Sequence, residues 1–137
     1  MAQTAKPPKP LELELDAVPA SVTEARKRAS EYARDVGAEG EGVELAVAEA
    51  VANAVVHGFT DRPRGTVILS AALQCSSLVV NVIDDGRGMK PNPDRGGLGL
   101  GLALIGQLTT TFSVTQAAGG GTSLRMTFPV SRPAAAS

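Results

Sequence analysis

The chain has 137 residues, of which 43% are hydrophobic, 20% charged and 3% aromatic, and its formal net charge is −1. That length and apolar content fit one compact domain with an aliphatic core and exclude wholesale disorder. The balance of 13 basic against 14 acidic residues lacks the broad positive field of non-specific nucleic-acid binding, and Tyr32, Phe59, Phe112 and Phe128 are too few for a base-stacking platform.

Residues 1–10 are rich in proline and lysine, and residues 131–137 in alanine and proline, so both ends are expected to be flexible tails on a folded body spanning 11–130. The opening lysines run into prolines instead of an apolar stretch, and no run of about 18 apolar residues occurs. A soluble, cytoplasmic protein with no membrane contact is expected. The single cysteine, Cys75, permits no internal disulfide and reads as a small strand residue.

In chain order, Leu11–Leu15 alternates strictly between leucine and glutamate and predicts a half-buried strand. Ser21 and Glu24 have the spacing of a capping box, which predicts a helix running to about Val36 and ended by Gly37. A second helix is predicted from about Val43 to His57, with Gly58 as its stop. Strands follow over Thr66–Leu73 and Leu78–Ile83, joined by the hairpin connection Gln74–Ser77. A flexible stretch, Asp84–Gly97, leads to a third helix over Leu98–Ile105 and to strands near Phe112–Gln116 and Ser123–Phe128. Helices not interleaved one for one with strands predict an α+β fold, a two-layer sandwich in which three helices cover one face of a mixed, largely antiparallel sheet.

Within Leu45–His57 the only polar residues are Glu49, Asn53 and His57, spaced four apart. Each step of four turns the helix by about 400° and climbs roughly 6 Å, so the three form a ladder on one stripe. A plain solvent face would give the same spacing. A solvent face usually carries lysine and arginine, however, whereas a carboxylate, an amide and an imidazole are groups for metal ligation and proton transfer.

Two glycine segments follow. Asp84-Asp-Gly-Arg-Gly-Met89 comes directly after a predicted strand, and Gly96-Gly-Leu-Gly-Leu-Gly101 opens a predicted helix, where free N–H groups and the helix dipole favour an anion such as phosphate. The ligand alternation of a calcium loop, the Walker A pattern and GxGxxG are all missing. Turns or tight packing are the alternative reading of such glycines.

Taken in order, these segments resemble the motifs of the GHKL ATPase superfamily. Glu49-Ala-Val-Ala-Asn-Ala-Val-Val-His57 resembles its N box, Asp84-Asp-Gly-Arg-Gly88 its G1 box, Gly97-Leu-Gly-Leu-Gly101 its G2 box, and Gly121-Thr122 its closing glycine-threonine. The resemblance spans about residues 11–130. Without a phosphoacceptor-histidine helix pair or a transducer domain, the chain is similar to the stand-alone anti-sigma-factor serine kinases within that superfamily.

The resemblance implies ATP and Mg²⁺ as cofactors and assigns roles to residues. Glu49 would be the general base toward a substrate serine, and Asn53 would ligate Mg²⁺. Asp84 would accept a hydrogen bond from the adenine amino group, with Gly86 and Gly88 passing close to the base and Thr122 beside it. Gly97, Gly99 and Gly101 would line the phosphates as part of a lid. His57 has a dipole-favoured place at the helix end as its alternative role. Lys90 and Arg95, in the segment Met89–Gly96, are either γ-phosphate contacts or solvated lid charges.

The function implied is that of a protein serine kinase that sequesters a sigma factor and phosphorylates an anti-anti-sigma protein, with no direct nucleic-acid contact. An ATP-dependent anti-sigma switch without kinase activity is one alternative, and the ATPase core of a histidine kinase system is another. Family members are often homodimers. On the first helix, Arg26-Lys-Arg28 offers either a partner surface or a solvated basic patch.

Overall fold

Leucines alternating with acids make Leu11–Asp16 a strand, β1, at the edge of a five-stranded sheet. In this computed structural model, residues 9–58, 65–85, 96–116 and 121–131 are described. After β1 come helix α1 (Pro19–Val36), helix α2 (Gly40–Gly58), strands β2 (Thr66–Gln74) and β3 (Ser77–Asp84), helix α3 (Gly96–Leu108), and strands β4 (Thr111–Gln116) and β5 (Thr122–Pro129). The element order is the one expected from the sequence.

Both of the first two helices start earlier than their sequences suggest. Pro19 occupies the first turn of α1, where its missing N–H costs no hydrogen bond, and the preceding Val18 is extended without a side-chain cap. The expected capping box is therefore not the start of α1: Ser21 lies inside the helix, where it is buried. Helix α2 begins at Gly40 because Glu39 caps it, its Oε1 accepting the Gly42 N–H at 2.7 Å. Gly37 does end α1, in the left-handed conformation at φ 90°, and donates to the carbonyls of Ala33 and Arg34.

The sheet order is β1-β2-β3-β5-β4, and each of these pairings is antiparallel, so the sheet is largely antiparallel as expected, with no parallel pair among the described residues. The hairpin β2–β3 turns on Cys75 and Ser76 alone. Cys75 is consequently not a strand residue. It is exposed in the turn at φ 56°, a conformation that tight hairpins demand and that glycine or asparagine usually supplies.

Register fixes which side chains face the helices. One row across the sheet runs Leu13, Leu69, Val82, Leu124 and Val114, and the next runs Leu15, Val67, Asp84, Thr122 and Gln116. Leu69, Val82, Leu124 and Val67 join Ala25, Ala29, Ala33, Val43, Val47, Ala50, Val51 and Ile105 in one continuous core. Helix α2 lies in the middle of its layer, packed on α1 and α3 at its sides and on β2, β3 and β5 beneath. Its small alanines and valines allow that close approach.

Some side chains remain at odds with this core. The Tyr32 hydroxyl is buried without a hydrogen-bond partner, and burial pushes its pKa above the ordinary value for tyrosine. Strand β4 is exposed along its whole length, leaving Phe112 and Val114 partly in solvent. Arg26, Lys27 and Arg28 are all exposed, and Arg26 pairs with Glu44 of α2 at 3.5 Å. Among the described residues, no helix is long and apolar enough to cross a membrane.

Candidate functional site

Alternation along β3 carries Val80, Val82 and Asp84 to the helix-facing side, so the strand that begins as core ends on a carboxylate. Asp84 is 3% exposed, and its partner across the β3–β5 ladder is the equally buried Thr122. Two polar side chains thus close one end of an otherwise apolar sheet face, both engaged in interactions of their own. The next residue, Asp85, falls on the outer side and braces the strand. Its Oδ1 accepts the Thr66 N–H at 2.9 Å, and its own N–H donates to the Thr66 carbonyl at 3.3 Å.

Gly121 is the residue whose importance the sequence understates. A β-carbon placed there would collide with the backbone carbonyl of Asp84 and come within 3.0 Å of the Asp85 α-carbon. Backbone on both sides cannot yield, so only glycine lets β5 begin this close to the end of β3. The glycine-threonine pair therefore sets where the Asp84 carboxylate sits. The available signal was its place as the last of three consecutive glycines, 119–121, immediately before a strand.

The second half of the site lies on α2. Asn53 is 7% exposed, and its Nδ2 has no hydrogen-bond partner. Glu49, one turn earlier on the same stripe, is half-buried. A plain solvent face would not hold a buried, unpartnered amide at its centre, so the solvent-face reading of the stripe does not fit Asn53. Helix α2 packs on β3 and β5, the strands that carry Asp84 and Thr122.

Gly97, Gly99 and Gly101 all lie in α3, which begins at Gly96, two residues before the predicted start. These glycines occupy its first turns, where the leading N–H groups have no intrahelical acceptor. Gly86, Gly88, Lys90, Arg95 and the side chain of His57 lie outside the described residues.

The donor set suits a nucleotide carrying Mg²⁺. Among the described residues, no cluster of three or more histidine, cysteine or acidic side chains is arranged to hold a metal. Mg²⁺ does not require one, because it takes a few hard oxygen ligands and completes its octahedron with phosphate and water. An asparagine presents both an amide donor and an oxygen acceptor, so turning the amide can offer either group to a phosphate–metal assembly. A buried orphan donor costs about 1 to 3 kcal/mol, which a bound ligand would recover.

Comparison with known proteins bears on the family. The profile of the histidine kinase-like ATPase domain matches residues 15–128. The chain is 27% identical over 101 residues to an anti-sigma F factor of Oceanobacillus iheyensis, covering 66% of this chain and 69% of that protein. It is 36% identical over 105 residues to blue-light-activated histidine kinase 2 of Erythrobacter litoralis, covering 72% of this chain and 30% of the kinase. Among solved structures, the RsbU and RsbW domains of a Mycobacterium tuberculosis protein superpose with a TM-score of 0.72 at 28% identity, covering 93% of this chain and 34% of that one. The chain spans about a third of the length of the last two proteins. The matched span takes in β2 to β4 entire and both halves of the site: the chain belongs to the family of histidine kinase-like (GHKL) ATPase domains.

Proposed function

We propose that the chain is an ATP-dependent protein serine kinase and anti-sigma factor, acting on an anti-anti-sigma protein in a partner-switching pair. The observation that carries the nucleotide reading is the buried Asn53 amide without a protein partner, one helical turn from the half-buried Glu49. Similarity to anti-sigma F factors supports a sigma factor as one partner.

In this reading Asn53 holds Mg²⁺, which when bound neutralises phosphate charge. Asp84, fixed in depth by Gly121, accepts a hydrogen bond from the adenine amino group, and Thr122 flanks it. The first turns of α3, freed of side chains at Gly97, Gly99 and Gly101, direct N–H groups at the phosphates. Glu49 accepts the proton from the substrate serine, whose oxygen bonds to the γ-phosphorus of ATP as the β–γ phosphoanhydride bond breaks and ADP leaves. Positioning, charge neutralisation and one base are the parts that phosphoryl transfer requires.

The test is Glu49→Gln, which keeps shape and hydrogen-bonding capacity while removing the base. Phosphoryl transfer should fall about 10²- to 10⁴-fold with Mg·ATP affinity retained. If wild-type protein binds Mg·ATP yet phosphorylates no anti-anti-sigma protein from its own genome, the domain is a nucleotide-dependent switch without transfer chemistry.

A further inference from the structure

The stripe that carries Asn53 and Glu49 continues, four residues earlier, to Leu45, and four earlier again to Glu41. Burial falls steadily along it: Asn53 is 7% exposed, Glu49 is half-buried, Leu45 is 51% exposed and Glu41 is exposed. The site therefore deepens toward Asn53 and opens toward Leu45. Among the described residues, Leu45 is the most exposed large apolar side chain, on a helix otherwise dominated by buried alanine and valine.

We propose that Leu45 is a docking residue for the phosphoacceptor protein, taking an apolar side chain on the same segment that delivers the serine to Glu49. This rests on the kinase reading above. With Asn53 on the inner side of the base, a polypeptide must reach Glu49 from the outer side, over the Leu45 turn. Leu45 stands about 6 Å along the helix from Glu49. Residues two apart on an extended strand are separated by about 6.6 Å, and those three or four apart on a helix by about 5 to 6 Å. The partner residue is accordingly an apolar side chain two positions from the serine in an extended segment, or three to four in a helical one.

Charge narrows the partner further. Glu41, Glu44 and Glu49 surround Leu45 in sequence, and only Glu44 has a cation beside it among the described residues, Arg26. The complementary segment carries its apolar residue flanked by lysine or arginine. Acidic flanks on the segment would be repelled.

The experiment uses the full chain with Mg·ATP and the purified anti-anti-sigma protein encoded in the same genome. Leu45→Ser should raise the KM for that protein at least tenfold, leaving kcat within about twofold and the Mg·ATP dissociation constant unchanged. Leu45→Met should restore a near wild-type KM, since it returns an apolar side chain of similar size. Glu41→Lys should raise the same KM, more strongly at low salt. An unchanged KM in Leu45→Ser, with active wild type, overturns this inference alone. A joint loss of kcat and nucleotide affinity also overturns it, by making Leu45 a structural residue. No transfer by the wild type overturns the kinase reading itself.

Discussion

Replacing Asn53 by leucine separates what the fold needs from what the ligand needs. Leucine branches at the same carbon, so the substitution exchanges the amide oxygen and nitrogen for methyl groups in a position that is 7% exposed. The wild-type Nδ2 is buried without a partner, a state that costs about 1 to 3 kcal/mol. Removing it should stabilise the nucleotide-free protein toward the lower end of that range, because the bulkier methyls introduce some overpacking. In a domain of this size the gain corresponds to roughly 3 to 5 °C of melting temperature per kcal/mol. Mg·ATP at a hundred times its dissociation constant should add about 2.7 kcal/mol to the wild type and nothing to the variant. Thermal unfolding with and without Mg·ATP should therefore give melting temperatures that cross: the variant higher without nucleotide, the wild type higher with it. A variant less stable than wild type without nucleotide would show that the amide serves the fold. Equal stabilisation of both proteins by Mg·ATP would remove Asn53 from the site.

Three further outcomes follow from the same geometry. Asp84→Asn should weaken ATP binding by about 5- to 150-fold, the equivalent of 1 to 3 kcal/mol, with no comparable gain for GTP in a competition assay; equal wild-type affinity for the two nucleotides would contradict the adenine contact. Gly121→Ala should cost about 1 to 3 kcal/mol of stability through overpacking against the Asp84 carbonyl and lower ATP affinity with it, and wild-type values by thermal unfolding and calorimetry would refute the close approach. Tyr32→Phe should be neutral or stabilising by about 1 kcal/mol, because the lost hydroxyl has no partner. With the folded-state pKa of Tyr32 raised by desolvation, the protein's stability is unaffected by this group below about pH 10, the ordinary tyrosine value, and falls as pH rises above it toward the raised one, because the unfolded state then ionises more readily. Denaturant titrations at pH 8 and pH 11 should show that loss in the wild type and a smaller one in Tyr32→Phe.

The alternation of Leu11–Leu15 was enough to place β1, because a period of two has only one structural meaning over five residues. The Glu49–Asn53–His57 ladder was equally visible, since spacing alone puts residues on one stripe. Spacing says nothing about depth, however. That Asn53 is buried and orphaned while Leu45 is exposed depends on how α1, α3 and the sheet enclose α2, which no local pattern encodes. The early starts of α1 and α2 were hidden for local reasons: Pro19 and the Gly40–Gly42 pair look like interruptions, yet one fits a first turn and the other follows a glutamate cap. Cys75 misled because its turn conformation is rare for a side chain of its kind. Gly121 was legible as a motif, but its role needs the Asp84 carbonyl, 37 residues away in the chain.

The sheet order has a consequence for synthesis. Strand β5 lies between β3 and β4, and among the described residues β4 pairs with no other strand. As the chain leaves the ribosome, β1, β2 and β3 can assemble under α1 and α2, but β3 keeps one open edge with Val80 and Val82 at hand until residues up to Pro129 have emerged. The Asp84 end of β3 waits for the same event, since Gly121 and Thr122 belong to the late-arriving hairpin. Nascent protein halted before β5 would thus present an aggregation-prone edge and at the same time lack the Asp84–Thr122 pair. On the proposed function, a chain could grip nucleotide only once its translation had passed β5.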